Sequence, residues 1–472
     1  MIRKKCFGTW LGLLVLLLAG VSSAKADGID DLVNAQVKKR QIPGVSLAVL
    51  KEGRIVKAAG YGLANIELGV PATKDTVYEI GSISKQFASE AVMLLVEDGR
   101  LGLDDPINKY LPANAPDSWK AITLRQLLNH TAGLKDWTEI REFSYRREYT
   151  GEEFIDLVKG APLQYAPGTS WAYTNTGPPL LGIIVERASG MPYEQFVTER
   201  IFRPLGFPTI RFRRQEEPVT NRASGYKLDG GALKNGEPFR PRVIAPSGGV
   251  LASAVDLAGW FTAVLNGKLV KPASLEQMLA PVRLADGRHV THGFAFFTDS
   301  FNGHKTIFHH GSTVGGFGSV VRYYPKEKLT IAVTGNVEDG GWGPEYISLR
   351  VANFYIPGAY LGGLKERLDP GSNAKFLRVL RDIADGTGSD MLTAAYAARI
   401  TPDFRKQTAE NLKGLKTFSY LGEEAIGDDH FILDPTLVKA AHYKLVTGDK
   451  TVYYTFRIDK DGKAGFIVVT EE

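Results

Sequence analysis

Two strand pairs bracket a long helical stretch, and this bracketing restricts the fold of the 472-residue chain more than any other feature. Near the start, "GVSLAVL" and "RIVKAAGYG" flank the turn "KEG"; much later, "SVVRYYP" and "KLTIAVTGN" meet around "KEK". Apolar, β-branched runs on either side of a short polar turn read as hairpins. Between them, apolar residues recur at helical spacing over Gln86–Glu97, Leu124–Leu128, Gly151–Val158 and Leu180–Ala188. Strands first and last with helices between predict a mixed α/β domain whose ends meet in one antiparallel sheet. Residues 208–245 are charged and turn-rich, and read as a flap or irregular loop.

The bracket closes before "IPGAYLGGLKERLDPGSN", residues 356–373, whose Gly and Pro content marks a linker. This sets a first domain over 27–355 and a second over 374–472. In the second, "AKFLRVLRDIA" and "MLTAAYAARI…FRKQTAENLKGL" read as helices. "FSYLGEEAI", "HFILD", "HYKLVTG", "TVYYTFRID" and "AGFIVVT" read as a meander. Helices followed by a curved antiparallel sheet suggest a small α+β cone similar to NTF2-like folds. It carries no catalytic constellation, which leaves substrate positioning, dimerisation or stability as its role.

Arg3, Lys4 and Lys5 precede the apolar run Leu11–Ala19, and "SSAKA" follows. A charged start, a run too short to span a bilayer and a small-residue exit read as a cleavable leader over 1–26, cut after Ala24 or Ala26. The product is then expected in the periplasm or outside the cell. Cys6 is the only cysteine and leaves with the leader, so no disulfide or cysteine-bound metal is expected. The formal charge of +5 includes Arg3, Lys4, Lys5 and Lys25; without them it is +1. No basic block remains, which argues against nucleic acid as a partner. No later stretch is long and apolar enough to span a membrane.

Three fragments carry chemistry. "GSISKQF", residues 81–87, places Ser82 and Lys85 one turn apart where a loop gives way to an apolar helix. At i and i+3 they share a face, so an amine of lowered pKa can take the serine proton. Ser-x-x-Lys also occurs elsewhere, for example at Ser22/Lys25 in the leader and Ser372/Lys375 in the linker, without such a helix. "YAPGTSWAYTNTGPPLLGIIVE" holds the chain's one Tyr-x-Asn, Tyr173-Thr174-Asn175: a phenol that can relay a proton and a carboxamide that can hold an amide or ester. "FHHGSTVGGFGSVVRYYP" places His310, Gly311, Ser312 and Thr313 on an edge strand along which substrate can lie. An N–H there, that of Thr313, would join the N–H of Ser82 in an oxyanion hole.

Together these fragments resemble the serine β-lactamase-like family: class C β-lactamases, D-Ala-D-Ala carboxypeptidases, D-aminopeptidases and β-lactamase-fold esterases. "GSISKQF" looks like its Ser-x-x-Lys motif, "YTN" its Tyr-x-Asn and "HHGS" its Lys/His-x-Gly strand. "ITLRQLLNHTAGL" and "PSGGVLASAVDLAGW" are also similar, and the likeness spans about residues 30–355. The resemblance implies a β-lactamase/transpeptidase-like fold, an antiparallel sheet with helices on both faces plus a mostly helical region. It also implies Ser82 as acylated nucleophile and Lys85 and Tyr173 as proton-relay pair. Asn175, His310, Gly311 and Thr313 would bind substrate. His130, in "LLNHTAGL", reads as structural.

The strand fragment admits two registers. His310-Gly311-Ser312 keeps the spacing to Gly316-Phe317; His309-His310-Gly311 restores the family's glycine at the expense of one extra residue. His310 is taken here. Histidine instead of lysine at this place points away from an efficient β-lactamase. No Gly-x-Ser-x-Gly elbow and no His-Glu-x-x-His helix is present, and no cofactor is called for. The implied function is a serine hydrolase of small esters, D-amino-acid amides or peptides. The alternative is a penicillin-recognising or sensing protein of the same fold with little turnover.

Overall fold

The computed structural model describes residues 28–471 apart from 238–241, 339, 341, 428–429, 431–433 and 449. The expected leader lies outside the described residues. After a helix over 28–39 (α1), the chain forms the first hairpin, β1 (Gly44–Lys51) and β2 (Arg54–Asn65), and the short β3 (Val70–Pro71). Helices α2 (Ser84–Glu97), α3 (Gly177–Ser189) and α4 (Ala254–Leu265) come from the long middle stretch. The strands then resume as β4 (Phe297–Phe301), β5 (His304–Thr313), β6 (Phe317–Tyr324) and β7 (Leu329–Gly335), before α5 (Trp342–Tyr355).

All seven strands form one sheet in the order β4-β5-β6-β7-β1-β2-β3. The ends of the domain meet as expected: β1 runs antiparallel to β7, from Val45 opposite Gly335 to Lys51 opposite Leu329. Both central strands are buried on both faces, which is why "GVSLAVL" and "LTIAVTG" are continuously apolar instead of alternating. The pleat still sorts side chains. Leu47 and Val49 pack under α1 and α5 with Ile29, Val33, Ile347 and Val351. Ala48 and Leu50 face the helical region, in the same core as Phe87, Leu95 and Trp260. Helix α2 is buried almost throughout from Ser84 to Leu95, the environment that its run "FASEAVMLLV" demands.

The second domain begins with α6 (Pro370–Asp385) and α7 (Pro402–Leu412). It ends in the four-stranded meander β8 (Leu415–Ala425), β9 (Leu437–Thr447), β10 (Lys450–Asp459) and β11 (Ala464–Glu471). Most of the expected strand "HFILD" falls outside the described residues. This domain has its own core, including Phe376, Val379, Tyr443, Tyr454 and Phe456. The start of the linker is packed: Ile356, Ala359 and Tyr360 are buried, and the Gly358 N–H donates to Asn353 at 2.8 Å. Contacts also cross between the domains. The Asn302 N–H at the β4–β5 turn donates to Glu424 Oε2 at 2.6 Å, and Phe301 meets the His442 ring edge-on.

Candidate active site

Ser82 sits in a single 3₁₀ turn, Gly81–Ile83, that runs directly into α2. Strand β5 crosses this turn with no room for side chains at two points. Gly81 has φ +52°, and a Cβ there would stand 2.7 Å from the Ser312 nitrogen. A Cβ on Gly311 would stand 2.1 Å from the Ile80 carbonyl oxygen. Both glycines are therefore required by close backbone approach. The strand residue lying against the Ser82 turn is Ser312, one place before the Thr313 expected from the sequence. Thr313 turns its hydroxyl to a buried position beside Gly315.

Lys85 follows one turn later and is 2 % exposed. Its Nζ lies 2.8 Å from Ser82 Oγ, 2.8 Å from Asn175 Oδ1 and 3.2 Å from the Ser247 carbonyl. Burial holds this amine down at about 7, against the opposing pull of the Asp136 carboxylate. Tyr173 stands with its ring 4.9 Å from Nζ. Burial pushes its phenol well above the usual value, partly offset by a hydrogen bond with Ser82. The structure thus brings Ser82, Lys85, Tyr173 and Asn175 together from two fragments ninety residues apart in sequence.

Several residues that build this site have no local signature. Asp136, in "LKDW", accepts the Asn175 N–H at 2.8 Å and Nδ2 at 3.0 Å, while its other oxygen accepts from Thr138. The Asn175 carbonyl accepts from Trp137 Nε1 and from Ser247 Oγ. His130 is buried, accepts the Thr174 N–H at Nδ1, and stacks on Tyr173. His292 is fully buried nearby, its ring centroid 5.0 Å from that of His130.

The strand histidines are arranged differently from the register taken above. His309 is fully buried on the same face of β5 as Gly311, its ring centroid 6.2 Å from that of Tyr173. His310 points to the opposite face, where it stacks on Trp342 at the start of α5. A strand turns successive side chains to opposite faces, so one residue of register decides which imidazole faces Tyr173. That residue is His309, which corrects the placement of His310 beside the substrate. The His309 Nδ1–H donates to the His310 carbonyl at 2.6 Å, which leaves Nε2 as a lone-pair acceptor.

A cleft of about 220 Å³ opens above these groups, lined by Ser82, Tyr173, Asn175, Ser312 and Thr313 with Trp137, Tyr145 and Val314. Among the described residues that line it, Glu338 is the one with a charged side chain. A wider hollow of about 550 Å³ lies beside Tyr193 and Glu194 and holds none of the catalytic candidates. Among the described residues, no group of three or more His, Cys, Asp or Glu is arranged to hold a metal ion. No helix among them is long and apolar enough to cross a membrane.

The chain resembles known proteins over the same region. A family model described as Beta-lactamase matches residues 29–353. Protein flp of Staphylococcus aureus (strain MW2) is 27 % identical over 312 residues, which cover 66 % of this chain and 62 % of that protein. The chain therefore spans less than two thirds of that relative's length. The structure of a D-stereospecific amidohydrolase from Streptomyces sp. superposes with a TM-score of 0.57 at 25 % identity, covering 67 % of this chain and 94 % of that one. The octameric penicillin-binding protein homologue from Pyrococcus abyssi has a TM-score of 0.62 at 24 % identity, covering 94 % of this chain and 98 % of that one. This last likeness is one of fold, and it extends over the second domain.

Proposed function

The chain belongs to the beta-lactamase family, and on that premise we propose that it is a serine hydrolase working through an acyl-serine intermediate on small esters or D-amino-acid amides and peptides. The observation that carries this reading is the 2.8 Å contact between Ser82 Oγ and an amine held near 7. As an ammonium, Lys85 donates to three acceptors. When one proton leaves, two N–H groups still serve Asn175 Oδ1 and the Ser247 carbonyl, neither of which can donate. The lone pair then faces Ser82 Oγ, the one partner with a proton to give. This is the geometry of a general base.

In the acylation step, Ser82 Oγ bonds to the substrate carbonyl carbon as its proton passes to Lys85. On this reading the carbonyl oxygen, as it gains charge, is received by the N–H of Ser82 and a strand N–H; the nearness of Ser312 to the Gly81 turn supports Ser312 as the strand donor. Tyr173 keeps its phenolic proton at neutral pH and can hand it to the departing alcohol or amine, recovering one from Lys85. Water then attacks the acyl-serine carbon as its proton passes to neutral Lys85; the bond to Ser82 Oγ breaks, Oγ takes that proton back from Lys85, and the acid departs. With Glu338 as the charged group among the described residues lining the cleft, neutral or amine-bearing substrates fit better than carboxylates. The leader expected over 1–26 would place this activity in the periplasm or outside the cell.

The test is a panel of p-nitrophenyl esters, D-amino-acid amides, D-Ala-D-Ala peptides and nitrocefin. Turnover of the ester or D-amino-acid members by wild type, lost in Ser82→Ala, supports the proposal. A lasting penicillin adduct without turnover of any member would support the penicillin-recognising alternative in its place.

A further inference from the structure

The Asn175 carboxamide has two orientations of nearly equal shape, and only one leaves Lys85 able to act. With Oδ1 toward Lys85, the neutral amine must turn its lone pair to Ser82. With the amide reversed, Nδ2 would donate to that lone pair, and Lys85 would instead donate to Ser82 Oγ and leave its proton in place. From the hydrogen bonds around Asn175 we infer that Asp136 is a positioning residue, whose carboxylate fixes the productive orientation of the Asn175 amide. This inference rests on the reading of Lys85 as base.

Three observations support it. Asp136 Oδ2 accepts from both the Asn175 N–H and Nδ2, so a reversed amide would set Oδ1 against a carboxylate oxygen. The carboxylate is itself held, because Oδ1 accepts the Thr138 N–H at 2.9 Å and its hydroxyl at 2.8 Å. The Asn175 backbone is anchored through its carbonyl by Trp137 and Ser247, so the choice is confined to the side chain. The same carboxylate stabilises the Lys85 ammonium through space. The histidines that sense the Lys85 charge, whether they face it or lie beyond the strand as His310 does, add no charge at pH 7. Burial keeps His130, His292, His309 and His310 neutral, and the Tyr173 phenol protonated.

The experiment follows the rate at which a fluorophosphonate probe labels Ser82 in the full chain, across pH 5 to 9. Wild-type labelling at Ser82 is measured first; its absence would overturn the serine-hydrolase reading itself and not this inference alone. Asp136→Asn keeps an acceptor for Thr138 but removes the acceptor-only partner and the negative charge. Two changes are expected together: a plateau rate lower by roughly tenfold or more, and an acid limb moved to lower pH, because the ammonium loses a stabilising charge. Combined with Asn175→Ala, which removes the amide, Asp136→Asn should lower the plateau no further. If Asp136→Asn does not melt cooperatively, Asp136→Ser supplies a capping hydroxyl without charge and is read the same way. An unchanged plateau, or a lowered plateau with the acid limb unmoved, would overturn the inference and leave Asp136 as a cap for residues 137–139.

Discussion

The imidazole of His130 lies against the phenol of Tyr173, their ring centroids 4.6 Å apart and their planes 29° from parallel. His130 adopts a left-handed backbone (φ +61°) and is 2 % exposed, so the chain spends a strained residue on holding this ring in place. His130→Ala is expected to destabilise the protein by about 2–4 kcal/mol through the cavity it leaves, and to slow labelling of Ser82 as Tyr173 loosens. His130→Phe restores a ring but not the acceptor for the Thr174 N–H, and should recover part of both. A Phe variant with a normal melt but slow labelling would show that the imidazole nitrogen matters, not the packing.

Stability should depend on pH with a definite sign. His130, His292 and His309 are each held well below the usual imidazole value, first by burial. Below about pH 6.5 the unfolded chain binds protons at these sites that the folded one refuses, so stability falls as pH falls. Glu90 works against this: it is buried without a hydrogen-bond partner among the described residues and pushed up to about 8, and its contribution fades as pH rises from about 4.5 toward 8. Three imidazoles outweigh one carboxyl below about pH 6.5. The melting temperature should therefore climb from pH 5 to 6.5, then flatten toward pH 8 as Lys85 and Glu90 offset each other. His292→Phe should make the climb shallower. An equally steep climb in that variant would remove His292 from the account.

How much of this was legible in the sequence depends on the distance over which each contact is made. Ser82 and Lys85 share a helical turn, so their spacing at the mouth of a strongly apolar helix announces a pair. The two hairpins announce the sheet, because the apolar runs of β1 and β7 leave few other ways to be buried. Asp136 and Ser247 reach Lys85 and Asn175 across long stretches of chain, and neither has a spacing that distinguishes it from other Asp and Ser residues. The choice between His309 and His310 was undecidable locally, since both are histidines and the strand sends them to opposite faces. It is settled by Gly311, which must meet the Ile80 carbonyl and so turns His309 inward.

That choice can be tested by variants. His309→Ala should slow labelling and turnover by roughly tenfold or more, the usual scale for a group acting beside a proton relay. His310→Ala should leave the rate within about twofold and act mainly on stability through the contact with Trp342. Rates in the reverse order would return the strand register to His310.

Glu338 lines the cleft, 26 % exposed at its side chain, with Lys227 3.8 Å away as a partial counter-charge. Burial raises this carboxyl, and Lys227 opposes the rise. Glu338→Gln should raise kcat/KM for anionic nitrocefin by roughly two- to fivefold relative to a neutral p-nitrophenyl ester, the range of a partly exposed charge interaction. An equal change for both substrates would mean that the carboxylate does not sense substrate charge.

The central claim is that Ser82 is a nucleophile activated by a lysine that titrates near neutrality, and the most direct measurement is probe labelling mapped by mass spectrometry and timed across pH. The account predicts one adduct, on Ser82, forming with a midpoint near pH 7, absent in Ser82→Ala and slower by on the order of 100-fold in Lys85→Ala. An adduct that persists in Ser82→Ala, or a labelling rate indifferent to the loss of the Lys85 amine, would contradict it.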